Sequence, residues 1–179
     1  MQETVRFSFQ GGTYSLGQLL PMRFKPADLL PDPATPLLLD PQHNDIRLTP
    51  ASQARVDALA GGGGDGAVLA RAAGDALAEA RRSYSPYSRC PAGAAIVTEA
   101  GEVYSGGYVE SAAYNPSLPP LQTAIIDAVL DGMPCYTGVK HVVLVELEGG
   151  PVQHAPTARV VLEQIAPRAE LTVLQAQWR

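Results

Sequence analysis

The chain has 179 residues, of which 18 are acidic and 13 basic, with a net charge of -5 and a mean hydropathy close to zero. This length is enough for one domain with a core and an extension. The acidic balance, without a run of basic residues, argues against a nucleic-acid-binding surface, which needs clustered positive charge. No apolar run approaches the roughly 20 residues of a membrane-spanning helix, so no membrane insertion is expected.

The two cysteines give an expectation about the compartment. Cys90 and Cys135 lie in different segments, without the CxxC spacing of metal and redox motifs. The first residues lack the basic and then apolar pattern of a secretory signal. Both thiols are therefore predicted to be reduced, and the protein to be cytoplasmic.

An isolated strand is predicted near the N-terminus, where Val5, Phe7 and Phe9 alternate with polar residues up to Gly11. A single strand is not stable by itself and has to join a sheet. Because one of its faces is apolar, we expect this strand to pair in an intermolecular contact.

Residues 21–48 are predicted to be a linker. Seven prolines lie from Pro21 to Pro50, and this density does not allow long helices or central strands. A segment of this kind is expected to run in an extended conformation over a surface.

The elements predicted beyond residue 49 define a fold class. A short helix is predicted after Thr49. It is followed by a helix at about 67–82, strands at about 94–99 and 102–108, a helix at about 121–130, a strand at about 140–146, a helix at about 156–165 and a strand at about 170–177. This order predicts an α/β fold, a three-layer α/β/α sandwich with a mixed sheet.

The stretch from Tyr108 to Ile125 has the layout of a catalytic loop, because a strand end, a small-residue loop and a helix start follow one another. Between Glu110 and Asp127, however, it contains no His, Cys, Asp, Glu, Lys or Arg. Such a loop has no side chain of its own to bind a metal or transfer a proton.

Two motifs resemble the cytidine deaminase family. Residues 83–96 read SYSPYSRCPAGAAI and residues 108–114 read YVESAAY, in the order of the family's AYxPYSxFxVGAAL and NVENASY runs. The resemblance implies a cytidine deaminase-like fold. It also implies a zinc-dependent hydrolytic deamination of cytidine and deoxycytidine, in pyrimidine salvage, for the intact enzyme.

The resemblance places unreactive residues at the positions that carry the family's chemistry. It matches Pro119 to the first zinc ligand and Leu121 to the proton-shuttling glutamate, and the two cysteine ligands correspond to Ala155 and Ala158. Zinc-dependent deamination needs all of these groups. No catalytic residue, metal ligand or cofactor is therefore expected in this chain.

Residues 110–122, ESAAYNPSLPPLQ, are similar to the zinc-free second domain of the two-domain, homodimeric bacterial cytidine deaminases. This similarity implies that residues 1–20 are the last strand and tail of a catalytic domain, residues 21–48 a linker, and residues 49–179 the non-catalytic domain. Zinc would then belong to the catalytic domain.

The same similarity implies a role for one loop. In a homodimer that includes a zinc-containing deaminase domain, the loop formed by Ala112, Ala113 and Tyr114 would close the active site of a partner. Cytidine or uridine would be bound only through that partner site.

Several interpretations stay open. Glu110 either contacts a nucleoside in a remnant pocket or caps the following turn. His154 is predicted to be a loop residue or a residue that supports the site without being a ligand, because one ligand does not hold zinc. A rearranged metal site, built from Cys90, Cys135 and His141 or His154, has no spacing that supports it. The alternatives to a structural and dimerisation domain are a nucleoside-binding module and a stand-alone deaminase with an unrecognised site.

Overall fold

The computed structural model describes residues 6–133 and 135–179. The chain divides into two compact units, Met1–Leu37 and Leu38–Arg179. Among the described residues, no helix is long and apolar enough to cross a membrane.

The first unit contains a β-hairpin followed by two short helical segments. Strand β1 (Arg6–Phe9) pairs antiparallel with strand β2 (Gly12–Ser15). Helix α1 (Leu16–Leu19) begins after its N-cap Ser15, and a 3-10 turn covers Pro26–Leu29.

This hairpin corrects the expectation that the N-terminal strand pairs in an intermolecular contact. The two loop residues, Gln10 and Gly11, have φ angles of 47° and 76°. Positive φ at both central positions is the geometry of the two-residue turns that close β-hairpins. The sequence pattern predicts a strand ended by glycines, whereas the chain turns back at these residues and continues as β2. Val5, the first residue of the expected strand, lies outside the described residues.

The second unit is built on a five-stranded mixed sheet. Its strands are β3 (Ile46–Leu48), β4 (Gly93–Thr98), β5 (Val103–Gly107), β6 (Val139–Leu147) and β7 (Glu170–Trp178). Their order across the sheet is β3-β7-β6-β4-β5. The pair β6 and β7 is parallel and the other neighbours are antiparallel.

Helices cover both faces of this sheet. The helices are α2 (Pro50–Gly61), α3 (Asp65–Arg82), α4 (Pro120–Leu130) and α5 (Ala155–Ile165). Alanines of α3 share one apolar cluster with inward-facing residues of β3, β4, β6 and β7. Residues of α4 and α5 form a second cluster on the opposite face. The predicted three-layer α/β/α sandwich is confirmed.

Strand β3 corrects the linker prediction for residues 46–48. It pairs with β7 at the edge of the sheet, and its first residue, Ile46, is fully buried. Proline density excludes central strands but not an edge strand, and these three residues contain no proline themselves.

Two glycines allow the helices to lie close to the sheet. A Cβ atom at Gly93 of β4 would overlap the carbonyl oxygen of Ala76 in α3, and one at Gly106 of β5 would overlap the backbone nitrogen of Ala124 in α4. Only glycine permits this approach of backbone to backbone. The contact at Gly106 sets how closely α4 lies to the sheet, and with it the position of the first turn of this helix.

Candidate functional site

The first turns of α4 and α5 meet in the core. Helix α4 begins at Pro120 after Pro119, and α5 begins at Ala155 with Pro156 in its first turn. Proline suits the first turn because its missing N–H would have no partner inside the helix. Proline residues therefore mark the start of both helices.

A small cavity of about 10 Å³ lies between these helix starts. Three of the four positions that the family resemblance matches to catalytic groups line it, namely Pro119, Leu121 and Ala158. The fourth, Ala155, is buried in the same apolar cluster as Leu121 and Ala158. The remaining lining residues are Pro120, Gln122, Leu144, His154, Thr157 and Val161.

This lining does not fit a zinc ion. Structural and catalytic zinc sites use three or four Cys, His, Asp or Glu ligands, and His154 is the one such residue among the nine that line the cavity. Across residues 6–133 and 135–179, no group of three or more His, Cys, Asp or Glu could hold a metal ion. We therefore derive no chemical step through zinc in this chain.

The residues of the rearranged metal site make other contacts. The thiol of Cys90 is buried and lies 3.5 Å from the carbonyl oxygen of Ser88. Cys135 is exposed, and its hydrogen bond with Thr137 lowers the pKa of the thiol. His141 lies 3.5 Å from the exposed carboxylate of Glu170.

A buried carboxylate that the sequence did not reveal anchors α5. Glu146, at the end of β6, is 2 % exposed. Its Oε2 accepts hydrogen bonds from the backbone nitrogens of His154 at 2.6 Å and Ala155 at 3.2 Å. These are free N–H groups of a helix start, where a negative charge is also favourable to the helix dipole. The one available signal was an acidic residue at the end of an otherwise apolar strand.

His154 is the N-cap residue of α5, at the end of the loop that precedes this helix, and its side chain is buried, with 5 % exposed. Its ring packs on that of Tyr108, with centroids 4.5 Å apart and an angle of 60°. Burial lowers the pKa of His154 to about 4, against a smaller opposing effect of the Glu110 charge. The imidazole is therefore neutral at pH 7.

Glu110 caps a turn, but not the one that follows it. The carboxylate is 5 % exposed and accepts hydrogen bonds from the backbone nitrogens of Tyr87 at 2.9 Å and Ser88 at 3.0 Å. That turn lies 22 residues earlier in the chain, and the carboxylate reaches it because residues 84 and 109 form a parallel bridge. This corrects the hypothesis that Glu110 caps the following turn.

The loop after Glu110 is closed and exposed. Val109 and Leu118 exchange backbone hydrogen bonds of 3.0 and 2.8 Å at its base. Between them, Ala112 and Ala113 are exposed, and Tyr114 is 74 % exposed with φ of 63°. A left-handed conformation is uncommon for a tyrosine, and the backbone hydrogen bond from Tyr114 to Ser111, at 2.9 Å, holds this turn.

The structure thus brings together some of the predicted site residues. Pro119, Leu121, Ala155 and Ala158 converge between two helix starts. Glu110 lies beside them, close enough to affect the pKa of His154. The loop 112–114 instead faces solvent.

Comparison with known proteins gives one family. Residues 16–159 match the family model described as the cytidine and deoxycytidylate deaminase zinc-binding region. Cytidine deaminase 1 of Arabidopsis thaliana is 42 % identical over 163 residues, which cover 90 % of this chain and 52 % of that protein. The cytidine deaminase of Vibrio atlanticus is 33 % identical over 160 residues, covering 89 % and 47 %.

The fold has a counterpart among solved structures. The crystal structure of cytidine deaminase from Mycobacterium tuberculosis matches with a TM-score of 0.50 and 22 % sequence identity, over 60 % of this chain and 88 % of that chain. It supports the fold alone. The chain spans about half the length of the curated relatives that it matches.

Proposed function

Because this chain belongs to the cytidine and deoxycytidylate deaminase zinc-binding family, we propose that it is a zinc-free, non-catalytic domain of a cytidine deaminase, acting in structure and dimerisation. The observation that carries the proposal is the lining of the cavity between α4 and α5, where proline, leucine and alanine stand at the reactive positions. The intact protein would deaminate cytidine and deoxycytidine in pyrimidine salvage, with zinc held in its catalytic domain.

The buried polar contacts around the cavity support a structural role. Both carboxylates at the site, Glu110 and Glu146, are engaged with backbone nitrogens of this chain. The ring of Tyr108 packs on His154. Because these side chains already contact other groups of this chain, they favour a structural domain over a nucleoside-binding module or a stand-alone deaminase.

The exposed loop supports a role at a partner. Ala112 and Ala113 have small side chains that allow close approach, and Tyr114 presents an aromatic ring to solvent. A ring of this kind can cover a base or fill a pocket of another subunit. We propose that the loop closes the active site of a zinc-containing deaminase domain in a homodimer. Cytidine or uridine would then contact this chain only there.

The domain assignment is part of the same proposal. Residues 1–20 would be the end of a catalytic domain and residues 21–48 a linker that contributes strand β3, with residues 49–179 as the non-catalytic domain. The two free cysteines, Cys90 and Cys135, support a reducing compartment, and we propose the cytoplasm.

We expect the purified chain to contain no stoichiometric zinc and to show no cytidine deamination. Zinc is measured by inductively coupled plasma mass spectrometry, and turnover by the loss of cytidine absorbance in the presence of added zinc. The full-length cytidine deaminase of Vibrio atlanticus, a relative about twice as long, is assayed in parallel as the positive control. Zinc near one equivalent together with zinc-dependent turnover would contradict the proposal.

In the intact protein, which would include the zinc-containing domain that the loop closes, Tyr114→Ala is expected to weaken dimerisation and to leave the folded chain almost unchanged. The side chain is 74 % exposed, so its removal should change the free energy of unfolding by less than about 0.5 kcal/mol. If the ring is buried in the dimer, its loss should cost about 1–2 kcal/mol of association, or roughly tenfold in Kd. Analytical ultracentrifugation gives the Kd.

The matched control is Val160→Ala, which truncates an exposed apolar side chain on α5. Its Kd should equal that of the unmodified protein. Equal dimer Kd values for the intact protein with Tyr114→Ala and without it would remove the loop from the interface.

A further inference from the structure

Two residues that line the cavity each have a buried polar atom without a hydrogen-bond partner. Gln122 Oε1 and His154 Nε2 are both buried, and neither is hydrogen-bonded to any described residue. Both residues line the cavity between the first turns of α4 and α5. Leaving one buried polar atom unpaired costs about 1–3 kcal/mol, so two on one cavity need an explanation.

The two atoms differ in what they can do in a hydrogen bond. An amide oxygen only accepts. Burial keeps His154 neutral at pH 7, so its ring carries one proton, and Nε2 accepts when that proton is on Nδ1. In that tautomer the group that satisfies both atoms must donate two hydrogen bonds.

The cavity limits the size and the charge of that donor. Its volume of about 10 Å³ is close to the roughly 10–15 Å³ that one water molecule requires. The lining contains no carboxylate, and most of it is contributed by proline, leucine, alanine and valine. A cation would lose its hydration there without a counter-charge, and an organic ligand would not fit.

We propose that the imidazole proton of His154 is on Nδ1 and that this cavity binds one water molecule, which donates hydrogen bonds to Gln122 Oε1 and His154 Nε2 and so links the first turns of α4 and α5. The site is a water site of the folded chain and is independent of whether the chain has a catalytic partner. Waters of this kind typically make two to four hydrogen bonds and are costly to remove.

The first test counts long-lived waters in the unmodified chain and in Gln122→Leu. Oxygen-17 magnetic relaxation dispersion measures waters that exchange slowly with solvent. Gln122→Leu removes one acceptor and adds methyl groups, and we expect it to lose one such water. Gln164→Leu makes the same change at an exposed position of α5 and should keep the count of the unmodified chain. An unchanged count in Gln122→Leu would overturn the proposal.

The second test observes the imidazole itself. The chain has three histidines, His43, His141 and His154, so their ring nitrogens can be assigned by long-range proton–nitrogen spectra at pH 7. His154 Nε2 should appear as an unprotonated nitrogen that accepts a hydrogen bond, and in Gln122→Leu its shift should move toward that of a free acceptor. A protonated Nε2, or a free-acceptor shift in the unmodified chain, would contradict the proposal.

A double-mutant cycle tests whether the two residues share the water. Gln122→Leu and His154→Phe should each raise the unfolding equilibrium constant about five- to 100-fold, because each leaves one acceptor unpaired. The double variant removes both acceptors, so its effect should be smaller than the product of the two. Effects that multiply would show that the two atoms are satisfied separately and would overturn the shared site.

Discussion

Glu146→Ala is expected to lower the free energy of unfolding by about 3–5 kcal/mol. The substitution removes a buried carboxylate that accepts hydrogen bonds from the backbone nitrogens of His154 and Ala155. Hydrogen bonds to a charged group contribute about 1.5–3 kcal/mol each, and both donors would be left at the start of α5. Urea denaturation followed by circular dichroism measures the change.

Two further variants separate the hydrogen bonds from other effects. Glu148→Ala removes an exposed carboxylate two positions along the chain and should change the free energy by less than about 0.5 kcal/mol. Glu146→Gln keeps an oxygen that can accept both hydrogen bonds but loses the charge, so an intermediate loss is expected. If Glu146→Ala is as stable as Glu148→Ala, the carboxylate does not hold α5.

The free energy of unfolding is expected to decrease as the pH is lowered, because of His154. The pKa of this residue is about 4 in the folded chain and 6.5 as an unperturbed value. Between these values the unfolded state binds more protons than the folded state, so protonation favours unfolding. The contribution is fully present above pH 6.5 and is lost progressively down to pH 4. A shift of this size corresponds to about 3 kcal/mol.

A comparison of His154→Phe with the unmodified chain separates the contribution of His154 to the pH dependence of stability from that of the carboxylates. In urea denaturation at pH 7, 6, 5 and 4.5, His154→Phe should lose less stability on acidification than the unmodified chain does. His43→Phe, which replaces an exposed histidine, should retain the full pH dependence. Parallel curves for the unmodified chain and His154→Phe would show that His154 is not buried in its neutral form.

The residues at the two helix starts suit their local structure. Pro119 is the N-cap residue of α4 and Pro120 its first residue, where proline stabilises a helix start. Leu121 and Ala158 pack in the apolar cluster of the same face. Under the proposed function, unreactive residues could therefore stand at these positions and still be compatible with the fold.

Local patterns were sufficient to predict most of the second unit. The alternating or continuous apolar runs of β4 to β7 and the apolar stripe of α3 depend on residues a few positions apart. The structure places these elements within a few residues of the expected bounds. The identities of Pro119, Ala155 and Ala158 alone also exclude a thiolate or imidazole at those positions.

Other features depend on partners distant in the sequence and could not be predicted from it. Strand β3 is a three-residue segment whose pairing with β7 joins residues about 130 positions apart. The N-terminal hairpin depends on Gln10 adopting positive φ, which a glutamine rarely does and a pattern therefore does not indicate.

The sequence by itself determined the order of the elements of the second unit and the unreactive side chains at Pro119, Leu121, Ala155 and Ala158, because both follow from residue identity and short-range periodicity. Only the tertiary structure decided what the remaining polar groups do. Glu110 reaches a turn 22 residues away, Glu146 caps a helix eight residues on, and His154 is buried against Tyr108. These contacts arise when the sheet brings strand ends and helix starts together, and no local pattern records which atoms will meet there.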